Sequence, residues 1–157
     1  MKKKRVVIIF LLLLLVSVIG ISSYFLFKDK INLLDVDHSA VDWNGKKQKD
    51  TSGEENTIAI PGFEKVTLYA NETTQAVNFH NPEINDCYFK ISLIHPDGSV
   101  LWISDLIEPG KGMYSIELEK TLAVGEYENA VLKYECFSLN DQSPLNGSEI
   151  NLKLVVV

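Results

Sequence analysis

The fold class can be predicted from one segment, residues 106–136, LIEPGKGMYSIELEKTLAVGEYENAVLKYEC. In its first half, apolar Tyr114, Ile116 and Leu118 alternate with polar residues. An alternation of period two is typical of a strand with one face against a core and the other in solvent. We therefore predict a strand over 114–118, with Tyr114 on its buried face.

The second half of the stretch contains a glycine bend followed by another alternating segment. Gly125 permits a positive φ at the bend, and Tyr127 can pack its ring there while its hydroxyl reaches loop backbone. After this bend, apolar residues again occupy every second position, which predicts a strand whose buried face carries Ala130, Leu132, Tyr134 and Cys136. Two half-buried strands around such a loop predict a β-sandwich.

The rest of the domain repeats this rhythm of short strands and turns. The turn at Pro96–Ser99 has Pro to set φ and Gly98 to take the left-handed conformation. Residues 117–124 have some helical composition, but they are too few to form a stable helix. Further strands are predicted over 57–60, 64–70, 75–80, 86–95, 100–104 and 149–157. The fold class is therefore predicted to be all-β, an antiparallel sandwich of about seven or eight strands over 57–157 with Trp102 in its core.

The charge of the chain is unevenly distributed. Residues 1–30 contain six Lys or Arg and one Asp, a net of +5, whereas residues 31–157 contain nine Lys, no Arg and twenty Asp or Glu, a net of −11. An acidic domain without arginine argues against nucleic-acid binding, because Lys and Arg must replace the counterions on phosphate. The absence of arginine also removes the usual bidentate ligand of phosphate and carboxylate groups.

Residues 6–27, VVIIFLLLLLVSVIGISSYFLF, contain no charged residue and predict a transmembrane helix. At about 1.5 Å per residue they span roughly 33 Å, enough to cross a hydrocarbon core of about 30 Å. The basic residues 1–5 should stay in the cytoplasm, which makes the helix a single-pass signal-anchor in the cell membrane. The alternative is a cleaved signal peptide, whose apolar region is usually about 7–15 residues long. Both interpretations place the C-terminal domain outside the membrane.

Residues 28–56 are predicted to form a flexible extracytoplasmic tether, because they are charged, rich in small polar residues and without sustained periodicity. The possible metal ligands of the tether do not have the spacing of a calcium-binding loop; they are Asp35, Asp37, His38 and Asp42. Trp43 is costly to expose in a solvated linker, so we expect it to dock on the domain or on a neighbouring protein.

The two cysteines, Cys87 and Cys136, both follow the predicted membrane segment, and each falls on the apolar face of its strand. This is the arrangement that a buried disulfide requires, and a bridge closing a loop of about fifty residues contributes about 4 kcal/mol in the chain-entropy model. The alternative is a pair of small buried hydrophobic residues that never meet.

The residue patterns of enzymes are missing. His38, His80 and His95 do not have the spacing of a zinc-binding pair, so no metal ligand is predicted. His95, Asp97 and Ser99 are the residue types of a catalytic triad, but they lie in one tight turn, where side chains point apart. A small sandwich also offers no aromatic-lined cleft for a glycosidase carboxylate pair. We therefore expect a protein that is not an enzyme, with no cofactor, no metal and no small-molecule substrate.

Seven segments within residues 36–157 form a recognisable pattern: AVDWNGK at 40–46, IAIPGF at 58–63, QAVNFHNP at 75–82, CYFKISL at 87–93, DLIEPGK at 105–111, GEY at 125–127 and LNGSEI at 145–150. Together these segments resemble a family of small anchored or secreted proteins from Firmicutes and other Gram-positive bacteria. Members of this family are largely without assigned function, and the resemblance implies an immunoglobulin-like (Ig-like) β-sandwich. Some members are labelled tRNA (uracil-5-)-methyltransferase, but such an enzyme needs a Gly-rich strand-to-helix turn in an α/β sheet, which this sequence lacks.

The functional hypothesis is a non-enzymatic binding or assembly module on the bacterial cell surface, whose partner is another envelope or surface protein. Loops carry function on a rigid sandwich because the scaffold fixes their positions. The candidate loops are 81–86, 106–112, 119–126 and 138–148, and the candidate binding residues are Pro109, Gly110, Lys111, Asn140, Asp141 and Asn146.

A second hypothesis is an accessory subunit of an envelope machine, such as a secretion or conjugation apparatus. In that case the transmembrane helix itself contacts the partner, and the domain is a spacer. Small residues within 16–23 would let helices approach each other closely.

Overall fold

The computed structural model describes residues 33–45 and 57–157. Within these ranges there is no helix, so none is available that is long and apolar enough to cross a membrane. The predicted membrane segment, residues 6–27, lies outside the described ranges. The eight strands are β1 (Val41–Asp42), β2 (Lys65–Leu68), β3 (Thr74–His80), β4 (Cys87–Ile94), β5 (Val100–Ile103), β6 (Lys111–Glu117), β7 (Gly125–Ser138) and β8 (Pro144–Val156).

The strands form two sheets, so the all-β class predicted from the sequence is confirmed. A five-stranded sheet has the order β2-β8-β7-β4-β5, and a three-stranded sheet has the order β1-β6-β3. All neighbours in these sheets are antiparallel except β2 and β8, which run parallel. The long hairpin of β7 and β8 forms the centre of the larger sheet together with β4.

Both sheets contribute to one hydrophobic core. Phe79 of β3 packs against Trp102 of β5, with ring centroids 5.8 Å apart, so the two sheets touch through these side chains. Trp102 is only 7% exposed, which confirms its predicted place in the core. Each large apolar side chain that is fully buried in this way stabilises the fold by roughly 1.5–3 kcal/mol.

The predicted buried face of β7 is confirmed, and Cys87 lies on the buried face of β4 as predicted. Strand β4 buries its odd-numbered residues, and strand β7 buries its even-numbered residues from Ala130 to Cys136. The Tyr127 hydroxyl donates a hydrogen bond to the carbonyl oxygen of Ala123 at 2.9 Å, which is the predicted reach to loop backbone. The alternating residues are Cys87, Phe89, Ile91 and Leu93 in β4, and Ala130, Leu132, Tyr134 and Cys136 in β7.

The prediction for strand β6 was wrong in one respect. Tyr114 is 37% exposed, whereas Met113 and Ile116 are both buried. The pairing of β3 with β6 shifts register between Ala76 and Phe79, where β3 has one residue more than β6. Strand β6 changes its buried face over the same stretch, between Met113 and Ile116. Tyr114 therefore points away from the core.

Three local predictions also need correction. Residues 57–60 form no strand, because Ala59 is held by the side chain of Asn85 instead of by a sheet. Gly125 does not have a positive φ; among the described glycines, only Gly98 and Gly110 do. The last strand begins at Pro144 and is longer than the predicted 149–157.

The folded unit also begins earlier than predicted, at Leu34 instead of residue 57. Residues 34–45, which were predicted as tether, lie along the β5–β6 connection and the edge of β6. Asp37 donates its backbone N–H to Leu106 O at 2.8 Å, and β1 pairs with the first residues of β6. We call residues 34–45 the N-terminal strap.

Candidate binding surface at the loop end

Three connections between strands meet at one end of the two-sheet domain. The register of β4 with β7 places Cys87 opposite Ser138, so the β3–β4 and β7–β8 connections, residues 81–86 and 139–143, are neighbours. The β5–β6 connection, residues 104–110, runs back along β4 to the same end, where Phe89 bridges to Ile107. We call these three connections, together with the N-terminal strap, the loop end.

The predicted residues Pro109, Gly110 and Lys111 lie at the loop end. Lys111 donates its backbone N–H to Glu108 O at 3.1 Å, and Gly110 has a φ of 77°, so residues 108–111 form a tight turn of type II character. Proline in the second position and glycine in the third are the residues that such a turn favours. The EPGK sequence therefore fixes the shape of this loop.

Asn81 holds the turn in place from the β3–β4 connection. Its backbone carbonyl accepts the N–H of Gly110 at 2.8 Å, and its backbone N–H donates to Lys111 O at 2.9 Å. Its buried side-chain amide donates to Cys87 O and Ile107 O at 2.8 and 2.9 Å. One buried asparagine thus ties together two of the three connections.

The N-terminal strap crosses the loop end from one connection to another. Near its start, Leu34 exchanges two hydrogen bonds with the side chain of Gln142, of 2.6 and 3.0 Å. Near its end, Trp43 donates its backbone N–H to Gly110 O at 2.9 Å. The strap therefore contacts both the β7–β8 and the β5–β6 connection.

An exposed ion pair joins the strap to β6. Lys111 Nζ lies 2.6 Å from Asp42 Oδ1. The hydrogen bond from Lys111, and then its charge, lower the pKa of Asp42, and the same contact raises the pKa of Lys111. Lys111 is therefore paired within the chain, in an exposed contact that is worth little free energy.

A cleft of about 510 Å³ opens between the strap and two of the connections. Its inner wall is the Trp43 ring, which is stacked on His80 with ring centroids 3.8 Å apart. Ile84 on its rim is 65% exposed, which is unusual for an isoleucine in a folded domain. The cleft is lined by Asp42, Trp43, Asn44, Gly45, His80, Pro82, Glu83, Ile84, Pro109 and Gly110.

The loop end is strongly acidic. The described residues of the loop end contain eight carboxylates and no lysine. Lys111 lies next to them, at the start of β6. The carboxylates are Asp35, Asp37, Asp42, Glu83, Asp86, Asp105, Glu108 and Asp141. In the described part of the chain, no group of three or more His, Cys, Asp or Glu residues is arranged to hold a metal ion.

The other predicted residues divide between the loop end and the sheet. Asn140 and Asp141 are exposed in the β7–β8 connection, and hydrogen bonds from Ser143 lower the pKa of Asp141. Asn146 instead lies within β8, where the pairing with β7 shifts register, so the predicted loop 138–148 is too long. The predicted loop 119–126 is at the opposite end of the domain, because Gly125 pairs with Val156.

Cys87 and Cys136 are buried neighbours with free thiols. Cys136 lies directly opposite Phe89, so the two cysteines are diagonal to each other across β4 and β7. The hydrogen bond with Cys87, and then burial, raise the pKa of Cys136, which keeps that thiol protonated and unreactive. The disulfide stays a prediction. Mass spectrometry after alkylation of denatured, unreduced protein decides it: two alkylated thiols exclude a bridge, and none establishes it.

The triad residue types at 95–99 are used within their own turn. Asp97 Oδ1 accepts the backbone N–H of Ser99 at 2.8 Å and lies 3.0 Å from His95 Nδ1. The carboxylate thus contacts serine backbone and histidine directly, whereas in a triad the histidine stands between acid and serine. This arrangement stabilises the Pro96–Ser99 turn.

One wall of the cleft was predicted from the sequence, and the opposite wall was not. The Pro and Gly of residues 109–110 marked one wall, but the opposite wall comes from Trp43 and His80. The signal for Trp43 was its position in an otherwise polar segment, which predicted docking without naming the partner. No local pattern distinguishes His80 from an ordinary strand end.

Comparisons with known proteins give no relative for this chain. No protein-family model matches it. No curated protein and no solved structure matches it either.

Proposed function

We propose that this chain is a non-enzymatic, membrane-anchored binding module that displays an Ig-like β-sandwich outside the bacterial cell membrane. The observation that carries the proposal is the convergence of three connections and the N-terminal strap around one cleft. Binding sites on sandwich domains are commonly built from loops that cluster at one end, because the sheets hold them rigidly. The partner we propose is another protein of the envelope or cell surface.

The order of the strands supports the Ig-like assignment. The run β8-β7-β4-β5, with β6 and β3 in the other sheet, corresponds to strands G, F, C and C′ facing strands E and B of a variable-type domain. The hydrogen bond from Tyr127 near the start of β7 to Ala123 corresponds to the tyrosine corner near the start of strand F. In this scheme, the loop end is the end that carries antigen-binding loops in antibodies.

The membrane anchor and its orientation rest on the sequence. The uncharged run 6–27 after a basic N-terminus supports a single-pass helix with the domain outside. Protease added to intact cells that express the full chain tests this orientation. We expect the domain to be cleaved without lysis, and protection until lysis would contradict the proposal.

The experiment that tests the binding proposal replaces residues 1–27 of the full chain with an unrelated membrane anchor. Partners are captured by chemical cross-linking in intact cells and identified by mass spectrometry for both chains. If the domain is the binding element, the same partner is captured with either anchor. Loss of the partner, with the domain still displayed, would contradict the proposal and support the transmembrane helix as the contact element.

A further inference from the structure

The walls of the loop-end cleft combine polar and apolar surface in about equal parts. Pro82, Ile84 and Pro109 face it from two connections, and Trp43 closes it from the strap. Ile84 leaves 65% of its surface in contact with water. Exposed apolar surface of this kind, rimmed by polar residues, is typical of a contact site for another molecule.

Among the described residues that line the cleft, the two carboxylates are the side chains with a formal charge. Asp42 and Glu83 line it, and Asp42 is already paired with Lys111. Glu83 is exposed and forms no ion pair with any described residue. Glu108 lies next to the cleft-lining Pro109 and adds a further carboxylate. An anionic ligand would be repelled by this site, whereas a cationic group would find an unpaired carboxylate beside an apolar wall.

We propose that the loop-end cleft binds a lysine or arginine side chain of a partner polypeptide, together with an adjacent apolar side chain. The apolar stem of the basic residue lies against Pro109 and the Trp43 ring, which are both half-buried in the cleft wall. Long basic side chains bury their methylene groups in this way while the charged head stays solvated. The head pairs with Glu83, and the adjacent apolar side chain covers Ile84. This inference rests on the proposed binding function and gives the chemistry of the partner segment.

The test uses the full chain in detergent micelles and capped peptides as probes. The peptides are Leu-Lys-Leu-Lys-Leu, its counterpart with glutamate in place of lysine, and its counterpart with serine in place of leucine. Binding is followed by NMR through the indole N–H of Trp43 and the amide of Gly110. We expect saturable shifts with the leucine–lysine peptide and at least about tenfold weaker binding of both counterparts. Raising the ionic strength from about 0.05 M to about 0.5 M should weaken binding further, because exposed charges are screened.

Two variants assign the binding to the named residues. Glu83→Lys should weaken binding of the leucine–lysine peptide at least about tenfold, and Ile84→Ser should weaken it several-fold. Both side chains are exposed, so the variants should fold, which unchanged core resonances of Trp102 would verify. The matched control is Glu119→Lys, which makes the same charge change on an exposed residue at the opposite end. Its affinity should stay within about twofold of wild type.

Three outcomes would overturn the inference. The first is equal or tighter binding of the glutamate peptide. The second is equal loss of affinity in Glu83→Lys and Glu119→Lys, which would reduce the effect to net charge. The third concerns Lys46, Lys47 and Lys49, which follow the cleft residue Gly45 in the sequence. If changing these lysines to glutamine shifts the Trp43 indole resonance while no peptide binds wild type, the chain's own lysines fill the cleft.

Failure of this inference is distinguishable from failure of the proposed function. If the domain captures a partner but does not bind the leucine–lysine peptide, the inference about a basic side chain in the cleft is wrong. The proposal that the domain is a binding module is then unaffected. If the anchor exchange shows the helix to be the contact element and the peptide also fails to bind, both proposals are overturned.

Discussion

The indole ring of Trp43 lies parallel to the imidazole ring of His80, with the centroids 3.8 Å apart and an angle of 9° between the planes. The indole N–H donates to Asn78 Oδ1 at 2.8 Å, so Trp43 both stacks and hydrogen-bonds on strand β3. Gly112 makes room for it, because a Cβ there would lie 2.8 Å from the indole Cδ1. This contact fastens the N-terminal strap to the domain and forms the inner wall of the cleft.

Replacing Trp43 by alanine should lower the free energy of unfolding by about 2 kcal/mol. The change removes a half-buried aromatic ring, its stack on His80 and its hydrogen bond to Asn78. Trp43→Phe keeps an aromatic ring and loses the hydrogen bond, so it should cost about 1 kcal/mol. Denaturant unfolding of the full chain measures both. Wild-type stability for the alanine variant would mean that the strap is not held by this contact.

Replacing Asn81 by alanine should be more severe, at about 3 kcal/mol. The variant removes the side-chain amide that binds the carbonyl oxygens of Cys87 and Ile107, although Ile107 O still accepts the N–H of Phe89. It also removes one of the hydrogen bonds of the buried Asn85 side chain, which keeps its two bonds to Ala59. Asn140→Ala serves as the control, because Asn140 is exposed in a neighbouring connection and should change stability by less than about 0.5 kcal/mol. Similar small effects for both variants would contradict the assigned role of Asn81.

Tyr134→Phe should leave the protein as stable as wild type or stabilise it by about 1 kcal/mol. The Tyr134 hydroxyl is fully buried and has no hydrogen-bond partner among the described residues, so it is desolvated without compensation. Burial also raises the pKa of this phenol, which should therefore resist ionisation in alkaline solution while the protein is folded. Thermal unfolding and ultraviolet absorbance at alkaline pH measure the two effects. A loss of more than about 1 kcal/mol would reveal a hydrogen bond to the hydroxyl.

Acid should destabilise the protein partly through Asp97. Hydrogen bonds from Ser99, and then from His95, hold the pKa of Asp97 well below its usual range. A carboxyl whose pKa is depressed by folding contributes stability above its unfolded pKa of about 3.9 and loses it as the pH falls toward the folded value. Stability should therefore fall below about pH 4, and less steeply in Asp97→Asn than in wild type.

In Asp97→Asn, the free energy of unfolding should still fall as the pH falls, but less steeply than in wild type. Part of the fall remains because hydrogen bonds also lower the pKa values of Asp42, Glu117 and Asp141. Glu119→Gln is the control, since Glu119 forms no ion pair with the described residues. Urea unfolding at several pH values between about 2 and 6 supplies the measurement. If stability falls with pH as steeply in Asp97→Asn as in wild type, folding does not change the pKa of Asp97.

The buried face of a strand could be predicted where the alternation of apolar and polar residues alone determines it. In β7, the even positions from Ala130 to Cys136 are all buried, because that face packs on the core and β7 stays in register with β4. In β6, the same rule misplaced Tyr114, since the shifted pairing with β3 is a tertiary feature that leaves no pattern in the strand itself. Local alternation predicts a face only as long as the pairing partner remains in register.

The candidate site was less predictable, because its residues are distant in sequence. Trp43, His80 and Pro109 line one cleft, but they come from the strap, the end of β3 and a turn. The EPGK turn was visible because proline and glycine mark it directly. The strap was not, since its backbone hydrogen bonds to Leu106 and Gly110 depend on a neighbour far along the chain. A polar segment without periodicity therefore resembled a tether.

The central claim, that the loop end contacts a partner protein, is tested most directly by site-specific photo-crosslinking in intact cells. A photo-reactive amino acid is placed at Ile84, which is 65% exposed at the loop end, or at Val124, which is 71% exposed at the opposite end. We predict a discrete crosslinked adduct of one partner from position 84 and none from position 124. An adduct from position 124 alone, or equal adducts from both, would contradict it.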